Sequence, residues 1–377
     1  MAVKAAMHVT DVSHLDQVND SAASLSSLYA TRLTNGLDVS NGPKSLPKFM
    51  VVGHRGHGMN LLQSTDKRMK AYKENSITSF NNAANHALDY IEFDVQVTKD
   101  NIPIIFHDNF IVSAENGKVV EKRVTDLTVD EFFSYGPQRT SGQVGKSLLR
   151  QINGNIVGWD VEVDDHSCTL EEAFQKVNPG LGFNIELKFD DYVVYEEEYL
   201  IHVLQVILKV VYENAQERPV LFSTFQPDVA LLMKKLQHTY PVYFLTNGGN
   251  EIYDDVRRNS LEEAKKLAIG GGLDGIVSEV KGIFRNPSVV REIKESNLSL
   301  LTYGKLNNVP EAVHVQYLMG VEGVIVDLVQ EITSAVKAYN SNKTVTEGEE
   351  GGLKVMDNTS KIELSFLLSL VSQLVQH

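Results

Sequence analysis

The chain carries Val52-Gly53-His54-Arg55-Gly56-His57-Gly58, then Ile91-Glu92-Phe93-Asp94, then Ile105-Phe106-His107-Asp108. Each group closes a short apolar run, so one scaffold can aim two histidines, an arginine and two carboxylates at a single point. Histidine titrates near neutral pH and can take or give a proton there. Arginine presents a planar fork that matches phosphate oxygens. Glu92 and Asp94 stand two apart in an extended run, so both side chains leave on one face and can share a hard divalent cation. Glu186 and Lys188 repeat that spacing in Asn184-Ile185-Glu186-Leu187-Lys188. On an adjacent strand of a closed sheet, roughly 5 Å away, Glu186 would complete a three-carboxylate site; a plain ion pair with Lys188 is the alternative. The residue types together point to phosphodiester chemistry beside a cation. His57 is read either as outer support for the site or as a solvent-facing loop residue.

The elements that must position these side chains follow from periodicity. From Lys48 onward, short β-branched or aromatic runs alternate with longer segments of helical period. The runs are Phe49-Val52, Tyr90-Phe93, Gly182-Leu187, Val220-Ser223, Val242-Leu245, Gly275-Val277, Leu298-Leu301 and Gly323-Val326. Their near-continuous apolarity suits strands covered on both faces. Helical stretches at Glu196-Tyr212, Pro227-Gln237, Ser260-Ala268 and Pro287-Ser296 separate several of them. Eight such units match a (β/α)8 barrel of roughly 250 residues, with an open doubly wound sheet as the runner-up. The expected fold class is therefore α/β, a (β/α)8 TIM barrel whose C-terminal face receives His54, Arg55, Glu92, Asp94, Glu186 and Lys188 at its strand ends.

Residues 96–181, between the second and third runs, are far too long for a βα loop and predict a small inserted subdomain. Within it we expect a strand of its own at Ile102-Phe106, a turn at Asn116-Gly117, a helix at Val129-Tyr135 and a second at Thr169-Val177. Thr169 and Glu172 have capping-box spacing, and that last helix is expected to return the chain to the third strand. The barrel domain is read as 48–339, preceded by an extension at 1–47. After it come a polar linker from Asn340 to Gly352 and an amphipathic helix near Lys361-Val375. Gly270-Gly271-Gly272 follows a helix and precedes a strand, the reverse of a phosphate-cradling loop, so it reads as a helix C-cap. Ser223 and Ser278 lie outside any Gly-x-Ser-x-Gly elbow and are not read as nucleophiles.

Composition excludes several classes. The chain has 377 residues, 42% of them hydrophobic, enough for a large core. Its 35 basic against 49 acidic residues give a net charge of -14, which repels nucleic acid; a small phosphate ester is still allowed, because a cation and a few basic side chains can invert the sign locally. The sole cysteine, Cys168, forms no intramolecular disulfide. No run of 18 apolar residues occurs, so no transmembrane segment is expected. The N-terminal segment is rich in Ser and Thr, as organelle transit peptides are, but Asp11, Asp16, Asp20 and Asp38 argue the other way. Plastid and cytoplasm both stay open, and oligomeric state leaves no mark in the sequence.

The combination of His54-Arg55-Gly56, Glu74-Asn75-Ser76, Glu92-Phe93-Asp94 with Ile105-Phe106-His107-Asp108, and Ile185-Glu186-Leu187-Lys188 resembles the glycerophosphodiester phosphodiesterase family over about Lys48 to Ile332. The wording around Gly53-Asn60, Phe189-Asp191 and Thr302-Asn307 is similar to its plant branch. The family pattern usually has Thr at the position of Ser76, and often Trp near Leu301-Thr302-Tyr303. The resemblance implies hydrolysis of glycerophosphodiesters to sn-glycerol 3-phosphate and an alcohol. It implies one divalent metal ion (Mg2+ or Ca2+) held by Glu92, Asp94 and Glu186. His54 and His107 then form the acid/base pair, Arg55 and Lys188 hold the phosphate, and Glu74 supports Arg55 or the metal ligands. A lysophospholipase D, supported only by the terminal amphipathic helix, and a catalytically dead phosphodiester-binding barrel are the competing readings.

Overall fold

The computed structural model describes residues 49–344. Eight parallel strands form the barrel: β1 (Met50–Gly53), β2 (Tyr90–Val97), β8 (Gly182–Leu187), β9 (Val220–Thr224), β10 (Val242–Thr246), β11 (Gly275–Glu279), β12 (Ser299–Tyr303) and β13 (Gly323–Val326). Neighbours pair in chain order, and β1 pairs with both β13 and β2, which closes the sheet and excludes the open alternative. All eight expected strands are present because each is apolar enough to be covered on both sides.

Alternation sorts the strand side chains into two cores. Outward residues such as Phe93, Phe183, Phe222 and Phe244 join the large cluster under the helices. Inward residues Val52, Tyr243, Leu245, Val277, Leu301 and Ile325 fill the barrel itself. Small and large residues interlock there: a methyl at Gly182 would sit 2.4 Å from the Tyr90 ring. Phe183 is fully buried, edge-on to Phe93 with ring centroids 5.0 Å apart, and Arg218 lies 4.1 Å from its ring centre. Phe183→Ala is expected to lower unfolding free energy by about 3–5 kcal/mol, read from the denaturant midpoint. A loss below about 1 kcal/mol would contradict this account of the core.

The helices that cover the barrel are α1 (Ile77–Ala83), α3 (Leu170–Lys176), α4 (Glu197–Asn214), α5 (Pro227–Leu236), α6 (Leu261–Gly271), α7 (Val280–Arg285), α8 (Ser288–Glu295), α9 (Pro310–Met319) and α10 (Val329–Thr344). Thr169 and Glu172 make the expected reciprocal capping box, and α3 leads into β8. Gly272 caps α6 in the left-handed conformation, the role read for the glycine cluster. Among the described residues no helix is long and apolar enough to cross a membrane.

The insertion departs from expectation in three ways. The strand read at Ile102-Phe106 is β3 (Pro103–Ile105), and it pairs antiparallel with β2 at Val95–Val97 instead of belonging to the subdomain. That pairing prolongs β2 to Val97, beyond the expected end at Phe93, so Asp94 lies inside the strand. The subdomain also contains an unexpected four-stranded antiparallel sheet of β4 (Phe110–Glu115), β5 (Lys118–Arg123), β6 (Leu149–Ile152) and β7 (Asn155–Gly158). The predicted turn at Asn116-Gly117 joins β4 to β5, both residues having positive φ. This sheet packs with α2 (Val129–Phe133) around Phe106, Ile111, Phe132 and Leu148. Downstream, α10 runs through Thr344, so the first residues of the segment read as a linker from Asn340 are helical. The extension at 1–47, the rest of the linker and the amphipathic segment at Lys361-Val375 lie outside the described residues.

Cys168 is fully buried. Burial, with Glu172 and Asp165 nearby, pushes its thiol up to about 12, so almost no thiolate exists at neutral pH. We expect no reaction of the native protein with a thiol reagent, and one thiol titrated per chain in denaturant. Rapid labelling of the native protein would contradict the packing of α3 on β3.

Candidate active site

All eight candidate side chains come from loops or strands at the C-terminal face of the barrel or from the insertion beside it. His54, Arg55 and Gly56 form a tight turn directly after β1. Arg55 takes φ 48° and Gly56 φ 93°. A methyl at Gly58 would lie 2.4 Å from the Asp327 carbonyl oxygen, so only glycine lets the turn approach the end of β13. The turn fixes Arg55 from both ends: its backbone NH donates to Glu92 Oε2 at 2.9 Å, and its Nη1 donates to Glu74 Oε1 at 2.7 Å. Arg55 Nε lies 3.4 Å from Asp94 Oδ2, and is buried without a hydrogen bond.

Glu92, Asp94 and Glu186 converge as their two-residue spacing requires, because Asp94 pairs in register with Glu186 across β2 and β8. One oxygen from each lies within 4.8 Å of the other two, and all three residues are buried. Glu92 Oε1 is buried and has no hydrogen-bond partner. An orphaned carboxylate oxygen in an all-oxygen donor set fits a hard divalent cation. Burial and the charge of Asp94 push the Glu92 carboxyl up, away from its ionised form. Burial also opposes ionisation of Asp94, but His107, Arg55, Lys188 and a hydrogen bond from Asn75 outweigh it and hold Asp94 low. Lys188 donates to Glu186 Oε1 at 2.9 Å and lies 3.7 Å from Asp94 Oδ1. The ion pair read as the plain alternative for Glu186 therefore exists, and the same glutamate also belongs to the carboxylate cluster.

Each histidine is tethered at Nδ1. His54 donates to Asp327 Oδ1 at 2.8 Å, and its Nε2 faces Glu92 Oε2 at 3.9 Å. His107 donates to Asp108 Oδ1 at 2.7 Å. An ionised carboxylate only accepts, so both rings carry their proton on Nδ1 when neutral and leave Nε2 free to accept. Burial pulls His54 down, but Asp327 and Glu92 more than compensate and raise it to about 9. His107 is lowered by burial, Arg55 and Lys188 together, against the pull of Asp94 and Asp108.

Glu74 accepts from Arg55 Nη1, from Arg150 Nη2 at 2.9 Å and from the Asn60 backbone NH. Burial alone would raise its pKa, but Arg55 and Arg150 hold it near 2. Its link to the site is the hydrogen bond from Arg55. His57 stands outside the site, edge-on to Tyr72 and beside His86. Ser223 donates to Asn184 and Ser278 to the Glu279 carbonyl, in keeping with their exclusion as nucleophiles. Two polar residues that the sequence reading did not single out, Asp327 and Arg150, complete the arrangement, together with Asn75 of the Glu74-Asn75-Ser76 motif, which donates to Asp94. Asp327 had a readable signal, a carboxylate immediately after an apolar strand at the face where barrels bind ligands.

A cleft of about 450 Å³ opens from His107 and Lys188 toward Phe110, Phe225, Glu251 and Tyr253. Tyr303 stands beside it, donating to Asn247 and edge-on to Phe225. The arrangement is that of a phosphoester hydrolase built on a barrel: cationic groups and a cation-competent carboxylate cluster, with two tethered imidazoles at their edge.

Comparison with known proteins agrees. A family model described as the glycerophosphoryl diester phosphodiesterase family matches residues 54–331. The chain is 56% identical over 355 residues to glycerophosphodiester phosphodiesterase GDPD2 of Arabidopsis thaliana, covering 92% of this chain and 95% of that protein. It is also 56% identical over 381 residues to the chloroplastic glycerophosphodiester phosphodiesterase GDPD1 of the same plant, covering 100% of both. An Oleispira antarctica phosphodiesterase solved with sn-glycerol-3-phosphate shares the fold, with TM-score 0.55 and 18% identity over 78% of this chain and 97% of that one. The chain belongs to the glycerophosphodiester phosphodiesterase family, and it is an enzyme of that class.

Proposed function

We propose that the chain hydrolyses glycerophosphodiesters, such as glycerophosphocholine, glycerophosphoethanolamine and glycerophosphoinositol, to sn-glycerol 3-phosphate and the free alcohol. The observation that carries this reading is the set of two Nδ1-tethered histidines beside three mutually close buried carboxylates. Glu92, Asp94 and Glu186 would hold one divalent cation, Mg2+ or Ca2+. Such an ion, when bound, polarises a phosphoryl oxygen as a Lewis acid.

The chain's own residues supply the rest. Arg55, aimed by Glu74, and Lys188 neutralise charge that grows on the phosphoryl oxygens, each contributing on the order of a few kcal/mol in a water-poor site. One histidine takes the proton of the nucleophile at Nε2, and the other protonates the departing alcohol oxygen. The nucleophile is water or the substrate's own 2-hydroxyl. The alcohol leaves through the cleft past Phe110 and Phe225.

The test is turnover of the three diesters beside a lysophospholipid of the same headgroup. Release of sn-glycerol 3-phosphate from the short diesters supports the proposal, and turnover of the lysolipid alone overturns it. Similarity to the chloroplastic GDPD1 supports a plastid location, with the cytoplasm as the alternative. A fluorescent fusion to the full chain distinguishes them.

A further inference from the structure

The inserted subdomain supplies a residue that none of the site motifs contains. Arg150, on β6, is 8% exposed and makes a two-pronged contact with one carboxylate: Nε donates to Asp108 Oδ2 at 2.9 Å and Nη2 to Asp108 Oδ1 at 2.8 Å. The same Nη2 donates to Glu74 Oε1 at 2.9 Å. These two acceptors are the groups that aim the reacting side chains. Glu74 receives Arg55 Nη1 at 2.7 Å, and Asp108 receives His107 Nδ1 at 2.7 Å. Arg150 thus closes a continuous chain, Arg55–Glu74–Arg150–Asp108–His107, in which two guanidinium groups alternate with two carboxylates.

The frame around Arg150 holds it in that position. Its guanidinium lies 4.5 Å from the centre of the Trp159 ring, and Trp159 Nε1 donates to Asn60 Oδ1 at 3.1 Å. Asn60 in turn exchanges hydrogen bonds with Glu74. On the other side, β6 meets β4 at Leu149 opposite Val112, and β4 starts three residues after His107. The inserted sheet therefore fixes Arg150 and His107 relative to each other, while the turn after β1 fixes Arg55.

We propose that Arg150 is a positioning residue for the hydrolysis: it locks Glu74 and Asp108, and through them sets the orientation of Arg55 and the Nδ1–H tautomer of His107. It touches neither the carboxylate cluster nor, in the reading above, the substrate. The planar fork is essential, because an ammonium cannot hold both oxygens of Asp108 while also reaching Glu74. This inference rests on the proposed hydrolase reading, so its test has one readout that needs no substrate.

Arg150→Ala and Arg150→Lys are compared with the unaltered chain. We expect kcat on glycerophosphocholine to fall roughly 10- to 100-fold in both, with KM changed less than about threefold. Added guanidinium ion should restore at least tenfold of the loss in Arg150→Ala and none in His107→Ala. In 15N-histidine NMR spectra, assigned by loss of a signal in His107→Gln, His107 of the unaltered chain should be the Nδ1–H tautomer, and both Arg150 variants should show a tautomer mixture. If Arg150→Ala fails to fold, Arg150→Lys decides. An Arg150→Lys protein with the original kcat or with an unchanged His107 tautomer overturns the inference. Inactivity of the unaltered chain would refute the hydrolase reading and leave the tautomer result to decide the role of Arg150.

Discussion

His54→Ala and His107→Ala are each expected to lower kcat by about a hundredfold or more, and the double variant by much less than the product of the two. The size follows from the work assigned to the rings. Each Nε2 is free because Nδ1 is committed to Asp327 or Asp108, so each ring can transfer a proton at one defined atom. Without it, water must serve, with no tether to hold it in line. Non-additivity follows because the two proton transfers serve one displacement: once either fails, the other has little left to accelerate. The measurement is steady-state release of sn-glycerol 3-phosphate, with the denaturant midpoint as a folding control. Full activity in both single variants would remove the acid/base account.

Neutralising the carboxylate cluster should have the second large effect, and it can be read without substrate. Glu92→Gln, Asp94→Asn and Glu186→Gln each remove one of three anionic donors that lie within 4.8 Å of one another. We expect each to weaken divalent-ion binding by more than roughly a hundredfold, since the partners that merely orient metal ligands are already worth about 10- to 100-fold. A ligand that binds only the folded chain stabilises it by about 2.7 kcal/mol at a hundred times its dissociation constant. The unaltered protein should therefore unfold at higher denaturant when Mg2+ or Ca2+ is present, and the variants should not respond. Without metal, Glu92→Gln should be no less stable than the parent, because burial and Asp94 already disfavour its charge, whereas Asp94→Asn should be less stable, because it leaves Arg55 and Lys188 without the carboxylate they face. A cation response that survives in all three variants would move the metal site elsewhere.

Much of this arrangement was legible before any coordinates. The barrel strands were readable because burial on both faces demands unbroken apolar runs, and Glu92, Asp94 and Glu186 were exceptions within or next to such runs. The tethered histidines and Arg55 were marked by their place after a strand. What escaped has physical reasons too. Strand β5 is largely exposed and carries Lys118, Glu121, Lys122 and Arg123, so it lacks the apolar continuity that marked the barrel, and in β4 the buried apolar run is only Ile111 and Val112. Arg150 sits between Leu149 and Gln151 in a similar half-exposed strand, and its importance comes from Glu74 and Asp108, which are distant in sequence. The helical backbone of α10 through Thr344 is not legible from a polar composition, because polarity alone does not separate a helix from a linker.

The central claim is that the buried carboxylates and the two histidines cleave a glycerol phosphodiester on the alcohol side of phosphorus. It is tested most directly by following the products from glycerophosphocholine with protein that has been stripped by chelator and then given back Mg2+ or Ca2+. The account predicts no turnover after stripping and, on restoring the ion, equal amounts of sn-glycerol 3-phosphate and choline. Turnover that ignores the chelator, or products that are glycerol and phosphocholine, would contradict it.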